Sequence, residues 1–239
     1  MINQNRIAII QPNYIPWIGY FEIIKNVDKF ILLDDVQYTK RDWRNRNYIN
    51  NNGNKLLLTI PIKTKGLFNQ NINEVKILNN NWKNEHLKKI FFCYKKTNYF
   101  EETYEYFKEL YNQIESDNLS EILCFLTKEL CIFLKIGTKI KLSSKIKIDG
   151  EKNQKIIKIC NHFSATSYLS GPKALNYLDG NIFSANKTKL LIAEYQKQDC
   201  YIESKYFKFL QKMSIVDLMF HQGKQSKNYI KSIITRELT

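Results

Sequence analysis

Two short apolar runs near the amino terminus constrain the fold of this chain more than any other feature. The first, residues 7–10, ends in a polar loop that contains two prolines, and the second covers residues 30–33. Between them, Ile18, Phe21 and Ile24 recur near helical spacing. Runs that are apolar throughout are typical of strands buried on both faces of a parallel sheet. The sequence therefore predicts a strand-helix-strand (βαβ) unit.

The rest of the chain predicts a hairpin, a helical middle section and further strands. Residues 48–49 and 55–62 flank an Asn-Asn-Asn-Gly-Asn stretch, whose Asn-Gly step supplies the positive φ angles of a tight hairpin turn. Apolar residues at three-and-four spacing predict helices over residues 82–94, 100–114 and 119–136. Later predictions are an alternating segment over 139–148, a helix over 153–163, strands over 167–169 and 190–195, and a helix over 214–221 between a Ser214 cap and Gly223.

These elements define an α/β fold class, with an N-terminal βαβ unit, a mostly parallel or mixed sheet, a β-hairpin and a largely helical middle section. The chain has 239 residues, of which 44% are hydrophobic and 25% charged, so it can bury a core without metals or disulfides. No repeat or low-complexity linker divides it. We therefore expect a single domain over residues 1–239, with a helical subdomain at about residues 80–136.

The net charge of +14 raises the question of a nucleic-acid partner. The lysines are scattered, however, and no run of five or more cations occurs. Solubility and the lysine bias of an AT-rich genome account for much of this charge, and no nucleic-acid-binding motif accompanies it. The charge is still compatible with a phosphorylated substrate, a transfer RNA or an acidic carrier protein.

Cysteine usage and hydropathy indicate a cytoplasmic protein. The five cysteines are odd in number and form no Cys-x-x-Cys pair, so we expect reduced core residues. The first residues lead straight into a short strand that is too short for a signal peptide. No stretch approaches the roughly 18 apolar residues that span a bilayer, so we expect no membrane insertion. The cysteines are Cys93, Cys124, Cys131, Cys160 and Cys200.

Polar side chains follow both of the first two predicted strands. Gln11 closes the first strand, and Asp34 and Asp35 close the second, before Gln37 and Tyr38. Because the carboxyl ends of parallel strands meet at one edge of a sheet, where ligands usually bind, we expect these residues to share a cleft. Adjacent strand residues point to opposite faces, so only one of the two aspartates should face it.

A cluster of arginines comes next. Arg41, Arg44 and Arg46 lie within six residues in a chain that otherwise prefers lysine. The guanidinium fork binds phosphate or carboxylate with two hydrogen bonds, and neighbouring aromatic rings can stack on a base or sugar. These residues therefore predict an anion site. The alternative is a solvated loop in which the arginines pair with neighbouring aspartates such as Asp42.

These segments resemble the N-terminal signature of the WbqC-like protein family. The resemblance rests on Gln-Pro-Asn-Tyr-Ile-Pro-Trp-Ile-Gly-Tyr-Phe at residues 11–21, Asp-Asp-Val-Gln-Tyr at 34–38 and Arg-Asn-Arg at 44–46. Many relatives carry a histidine before Gln-Pro where this chain has Ile10, so no role for such a histidine is carried over. Further matching segments lie at residues 58–62, 168–171, 176–178 and 213–218, so the resemblance covers nearly the whole chain.

The family is associated with gene clusters for bacterial O-antigen and related surface polysaccharides. The resemblance implies a transferase that attaches an acyl or aminoacyl group, such as glycyl, to the amino group of a nucleotide-linked amino sugar. The activated donor stays open: a carrier-protein thioester, acyl-CoA, aminoacyl-tRNA or an adenylate made from ATP. We expect no tightly bound cofactor, and three dispersed histidines predict no metal site.

Amide formation needs a neutral amine and a stabilised oxyanion, which defines the roles to be filled. Asp34 or Asp35 is expected to orient or deprotonate the amine. His86, on a predicted helix, is a further candidate base, although a partly exposed helical histidine is the simpler interpretation. Arg44 and Arg46 are expected to hold the diphosphate. The substrate-binding candidates are Gln11, Tyr14, Gln37, Tyr38, Arg44, Asn45, Arg46, Ser170 and Gly171, of which Asn45 or the Ser170-Gly171 backbone would meet the oxyanion.

Two other functions stay open. The first is a non-catalytic binding module for a nucleotide sugar or an acyl-carrier protein. The second is an ATP-dependent ligase that makes an acyl adenylate, since the strand, proline-containing loop and helix are similar to nucleotidylyltransferase-like folds. Tyr14 and Trp17 stand where those folds place ATP-binding histidines. Ser143, Ser144 and Ser170 lack the Gly-x-Ser-x-Gly elbow of serine nucleophiles.

Overall fold

The protein is described by a computed structural model that covers residues 5–203 and 207–238. The strands are β1 (Arg6–Ile10), β2 (Lys29–Leu32), β3 (Arg46–Asn51), β4 (Asn54–Thr59), β5 (Lys139–Leu142), β6 (Ser167–Ser170), β7 (Lys189–Glu194) and β8 (Ile234–Leu238). The α-helices are α1 (Ile18–Lys25), α2 (Asn81–Tyr94), α3 (Phe100–Asn112), α4 (Leu119–Phe133), α5 (Lys152–His162), α6 (Gly180–Ala185) and α7 (Ile215–Gln222).

The main sheet has six strands in the order β5-β2-β1-β6-β7-β8, and β3 with β4 forms a separate hairpin. β5, β2, β1, β6 and β7 run parallel, whereas β8 is antiparallel to β7. From β1 the chain builds outward through β2 to β5, and then returns to the other side of β1 to add β6 and β7. The order therefore reverses between β1 and β6, which is the switch point where open α/β sheets place their ligands.

The two faces of the sheet bury different hydrophobic clusters. Ala8 belongs to the larger cluster, which includes residues of α1 to α4, α7 and the hairpin. Ile7 and Ile9, its neighbours along β1, belong to a smaller cluster with residues of α5 and α6. This alternation follows from the two-residue period of a strand, and it places helices on both faces of a buried sheet. The predicted α/β class and the parallel β1-α1-β2 unit are both confirmed.

The turn and cap signals act locally as expected. Asn52 and Gly53 both adopt positive φ, at 48° and 88°, and they close the hairpin between β3 and β4. The Ser214 hydroxyl accepts the Val216 N–H at the start of α7, and Gly223 ends the helix with φ 48°. These contacts involve residues close in sequence, so the local order of residues was enough to predict them.

Other elements differ from the sequence interpretation. The alternating segment forms a strand only as far as Leu142, because the next residues turn into a short 3-10 helix. α6 and β8 were not predicted. Cys200 is exposed, which corrects the expectation that all five cysteines are core residues; the other four are buried. Across the described residues, each helix is too short or too polar to cross a bilayer.

Candidate functional site

The carboxyl ends of the five parallel strands bring distant loops to one edge of the main sheet, here called the carboxyl edge. The switch point at β1 and β6 lies at the middle of this edge. The residues at or just after the strand ends lie along this edge in the order of the strands. They are Ser143 and Ser144 after β5, Asp34 and Asp35 after β2, Gln11 after β1, Ser170 and Gly171 at the end of β6, and Tyr195 after β7.

The start of α1 is built differently from that of a dinucleotide-binding fold. In such folds, glycines let the pyrophosphate approach the helix N-terminus closely. Here the ring of Trp17 fills the space over Gly19, and a Cβ added at Gly19 would overlap it. The same indole packs against the Tyr195 ring, with ring centroids 4.9 Å apart. The start of α1 is therefore not open to a phosphate group in the way that it is in those folds.

The loop after β1 holds a strained residue. Ile15 is β-branched, precedes Pro16 and has a φ of 35°, a conformation that costs about 1–3 kcal/mol. The Asn47 side chain donates to the carbonyls of Tyr14 and Ile15, at 3.1 and 2.9 Å. The Ser214 hydroxyl also donates to the Ile15 carbonyl, at 2.7 Å. Such over-determined strain persists mainly at functional sites, because the surrounding structure has to maintain it.

Arg44 holds this loop in place through hydrogen bonds. Its guanidinium donates to the Pro12 carbonyl at 3.3 Å, to the Asn13 side chain and to Asp42 at 3.0 Å. The Arg44 side chain is only 11% exposed, and its buried Nε has no partner in the described structure. Burial lowers the pKa of Arg44, and Asp42 acts in the opposite direction. Arg44 is thus occupied by the protein itself, and it ties the segment after β2 to the loop after β1.

Arg46 is arranged differently, although it is only two residues away. Its side chain is half-buried, and it makes no hydrogen bond or ion pair to any residue that the structure describes. Burial raises the pKa of Tyr38, and the charge of Arg46 acts in the opposite direction, which puts Arg46 in the neighbourhood of Tyr38. The Tyr38 hydroxyl donates to Asn45 at 2.9 Å, and the Asn45 amide donates to the Ile60 carbonyl at 2.8 Å. Arg46 therefore keeps its donors available for an anion, whereas Tyr38 and Asn45 support it.

Asp34 is sealed inside the fold. It is 0% exposed, and its carboxylate accepts from the Ser120 hydroxyl at 2.7 Å. It also accepts from the Ser144 N–H at 2.9 Å and the Ser144 hydroxyl at 2.8 Å. These bonds join the end of β2 to α4 and to the end of β5. No space is left for a substrate group at Asp34, so it serves the fold in this arrangement.

Asp35 reaches the carboxyl edge. Its carboxylate pairs with Lys155 Nζ at 2.7 Å and accepts a hydrogen bond from Ser143 Oγ. The side chains of Lys155 and Asp35 are 9% and 18% exposed, respectively. Lys155 also donates to the Asp35 carbonyl, at 3.1 Å. Lys155 was not among the predicted site residues; its position on the apolar face of α5, beside Ile156, was the one signal that could have found it.

Comparison with known proteins places the chain in a family. The model of the WbqC-like protein family matches residues 11–229. The chain belongs to the WbqC-like protein family. The uncharacterized protein Rv1507c of Mycobacterium tuberculosis is 34% identical over 226 residues, which cover 95% of this chain and 97% of that protein. No solved structure matches the chain.

In this WbqC-like chain, Tyr14 and His86 lie in the core beneath the carboxyl edge. The Tyr14 hydroxyl is 2.8 Å from His86 Nδ1 and also bonds to the Tyr111 hydroxyl. His86 Nε2 lies 3.1 Å from the Thr59 N–H. His86 is 2% exposed, and burial lowers its pKa to about 4. Both ring nitrogens are engaged within the protein, so the arrangement offers no support for His86 as a base or for Tyr14 as a substrate ligand.

The remaining predicted residues flank the edge. Ser170 is buried and bonds to the Tyr168 hydroxyl at 3.3 Å, while Gly171 lies close to the Tyr195 hydroxyl. Gln37 is exposed and donates to the Phe68 carbonyl at 3.4 Å, at an open groove of about 510 Å³ formed mostly by residues 66–70. Within the described parts of the chain, no group of three or more metal-binding side chains comes together.

Proposed function

We propose that this member of the WbqC-like family is a transferase of bacterial surface-polysaccharide biosynthesis that acts on a nucleotide-linked amino sugar. It attaches an acyl or aminoacyl group to the amino group of that sugar. The observation that carries the proposal is the presence of two complementary groups: Arg46, which makes no hydrogen bond or ion pair to the described residues and whose segment is bonded to the loop after β1, and the partly exposed carboxylate of Asp35 after β2. A nucleotide sugar offers both complements, since its diphosphate is anionic and its hydroxyl and amino groups donate hydrogen bonds.

The same edge supplies an order for the substrate. The Arg44-Asn45-Arg46 segment lies over the loop after β1, because Arg44 binds Pro12 and Asn13. We propose that a diphosphate held by Arg46 lies beside this loop, between the end of β2 and the end of β6. The backbone at Ser170 and Gly171 remains the candidate for contact with the sugar and the oxyanion.

The proposed transfer changes no oxidation state, so it needs no redox partner. The neutral amine nitrogen attacks the carbonyl carbon of the activated donor, and a C–N bond forms as the bond to the leaving group breaks. One proton moves from nitrogen to the leaving group. A thioester donor releases a thiol, an aminoacyl-tRNA releases an alcohol, and an acyl adenylate releases AMP. The contribution of the protein is to hold both reactants in line, which can supply several kcal/mol of the barrier reduction.

Thermal unfolding with and without uridine-diphosphate glucosamine tests the binding step. Ligand in large excess over its Kd should stabilise the protein by about 3 kcal/mol at a hundredfold excess. Arg46→Met should lose this stabilisation, whereas Arg41→Met, a matched change at an exposed arginine of the same segment, should keep it. If no nucleotide-diphosphate sugar stabilises the wild-type protein, the proposed substrate class is wrong.

Mass spectrometry of the sugar after incubation with candidate donors tests the chemistry. Glycyl- and acetyl-thioesters of coenzyme A, glycyl-tRNA, and glycine or acetate with ATP cover the donor classes. A mass increase of the amino sugar that requires the protein supports transfer. Stabilisation by the nucleotide sugar without any transfer, over all donors, would instead indicate a non-catalytic binding module.

A further inference from the structure

We infer that Asp35 binds the ribose hydroxyls of the nucleotide, so that the site selects a ribonucleotide over its deoxyribonucleotide counterpart. The inference rests on the proposed nucleotide-sugar site and adds which part of the ligand this carboxylate contacts. Two donors in a nucleotide-linked amino sugar could meet Asp35, namely the ribose hydroxyls and the sugar amine. The position and the surroundings of Asp35 favour the ribose.

The position of Asp35 in the sheet favours the ribose. Asp35 follows β2, which lies directly beside the switch strand β1 and on the side away from β6. In dinucleotide-binding folds with this strand order, an acidic side chain at the end of the second strand accepts hydrogen bonds from the ribose. In this protein the phosphate cannot approach the start of α1, since Trp17 covers Gly19. In our proposal the arginine segment at the loop after β1 binds the phosphate instead. The ribose still lies at the end of β2.

The order of the contacts gives the second argument. In a nucleotide sugar, the diphosphate separates the ribose from the amino sugar. Along the carboxyl edge, the arginine segment over β1 likewise separates Asp35 at β2 from Ser170 and Gly171 at β6. This order places the ribose at Asp35 and the amino sugar at Ser170 and Gly171, the residues proposed to contact the sugar and the oxyanion.

The rigidity of Asp35 gives the third argument. Lys155 donates to one carboxylate oxygen, and Ser143 donates to the other. Each carboxylate oxygen can accept one more hydrogen bond besides the one that it receives from the described residues, and 18% of the side chain is exposed. A fixed carboxylate plane with one free acceptor site on each oxygen matches two neighbouring hydroxyl groups. Lys155 acts here as a positioning residue, because its ammonium holds the carboxylate and needs no contact with the ligand.

The experiment compares matched nucleotides. Dissociation constants of ADP, GDP, CDP and UDP are measured by calorimetry, and the tightest of them is compared with its deoxy counterpart. Loss of a hydrogen bond to a charged acceptor corresponds to roughly 10- to 100-fold weaker binding of the deoxynucleotide. Asp35→Asn should bring this ratio close to one. Lys155→Met should reduce it, Lys155→Arg should restore part of it, and Lys158→Met, at an exposed position on the same helix, should leave it unchanged.

A second comparison separates the ribose from the amine. Uridine-diphosphate glucosamine and its N-acetylated form differ only at the sugar nitrogen. If Asp35→Asn changes the preference between these two sugars and leaves the ribose ratio intact, Asp35 contacts the amine and the inference is wrong. Equal binding of ribo- and deoxynucleotides by the wild-type protein overturns it as well, even if the variants fail to fold. If no nucleotide binds at all, the proposed function fails together with it.

Discussion

Arg44 and Arg46 provide a direct test of how this site is built, because two neighbouring arginines have opposite surroundings. Arg44→Met removes three hydrogen bonds from a side chain that is 11% exposed and leaves the Asp42 carboxylate, which is 34% exposed, without its ion-pair partner. Hydrogen bonds from a charged donor contribute about 1.5–3 kcal/mol each when buried, and less when solvent screens them. Part of the loss is offset by the apolar contacts of methionine.

We therefore expect Arg44→Met to lower the free energy of unfolding by about 3 kcal/mol, which corresponds to a fall in Tm of roughly 6–12 °C for a domain of this size. Arg44→Lys keeps the charge but loses the fork geometry, so its cost should be about half. Arg46→Met removes no hydrogen bond or ion pair to the described residues and should change stability by less than about 0.5 kcal/mol.

The assay pairs thermal and urea denaturation of the three variants with the binding of a nucleotide-diphosphate sugar. Arg46→Met should melt like the wild type and bind at least about tenfold more weakly, the effect of a lost charge-assisted hydrogen bond. Two results would refute the reasoning. One is a wild-type Tm for Arg44→Met, and the other is early melting of Arg46→Met with normal binding.

Three further predictions concern buried groups. Burial lowers the pKa of His86 from 6.5 to about 4, so its stabilising contribution is complete above pH 6.5 and is lost as pH falls through 4. In the wild type this change in the free energy of unfolding between pH 6.5 and 4 is about 3 kcal/mol, and His86→Gln should remove it from the pH profile measured by urea denaturation. Burial raises the pKa of Asp217 from 3.8 to about 6, so the opposite sign applies: stability present at low pH is lost as pH rises through 6, and Asp217→Asn should remove that loss, again by about 3 kcal/mol. Unchanged slopes in these two profiles would contradict the burial argument. Gly19→Ala should displace the Trp17 ring and cost about 2 kcal/mol or more in thermal unfolding; a wild-type Tm would show that the ring moves freely.

Much of the fold follows from patterns that span only a few residues. After their first residues, Arg6 and Lys29, the first two strands are apolar, because the interior of a parallel strand is buried on both faces. The hairpin turn needs positive φ, which Asn52 and Gly53 adopt at low cost. β8 escaped prediction because its sequence, Ile-Thr-Arg-Glu-Leu, is largely polar; it is an edge strand, and only pairing with β7 makes it a strand.

The sequence by itself determined which residue types reach the carboxyl edge, since Gln11, Asp34 and Asp35 had to follow parallel strands. Only the tertiary structure decided what each of them does. Asp34 is sealed by Ser120 and Ser144, and Asp35 is held by Lys155, which lies 120 residues away in the chain. The identity of a side chain limits its chemistry, but its exposure and its partners depend on long-range packing, and no pattern within a short window of sequence contains that information.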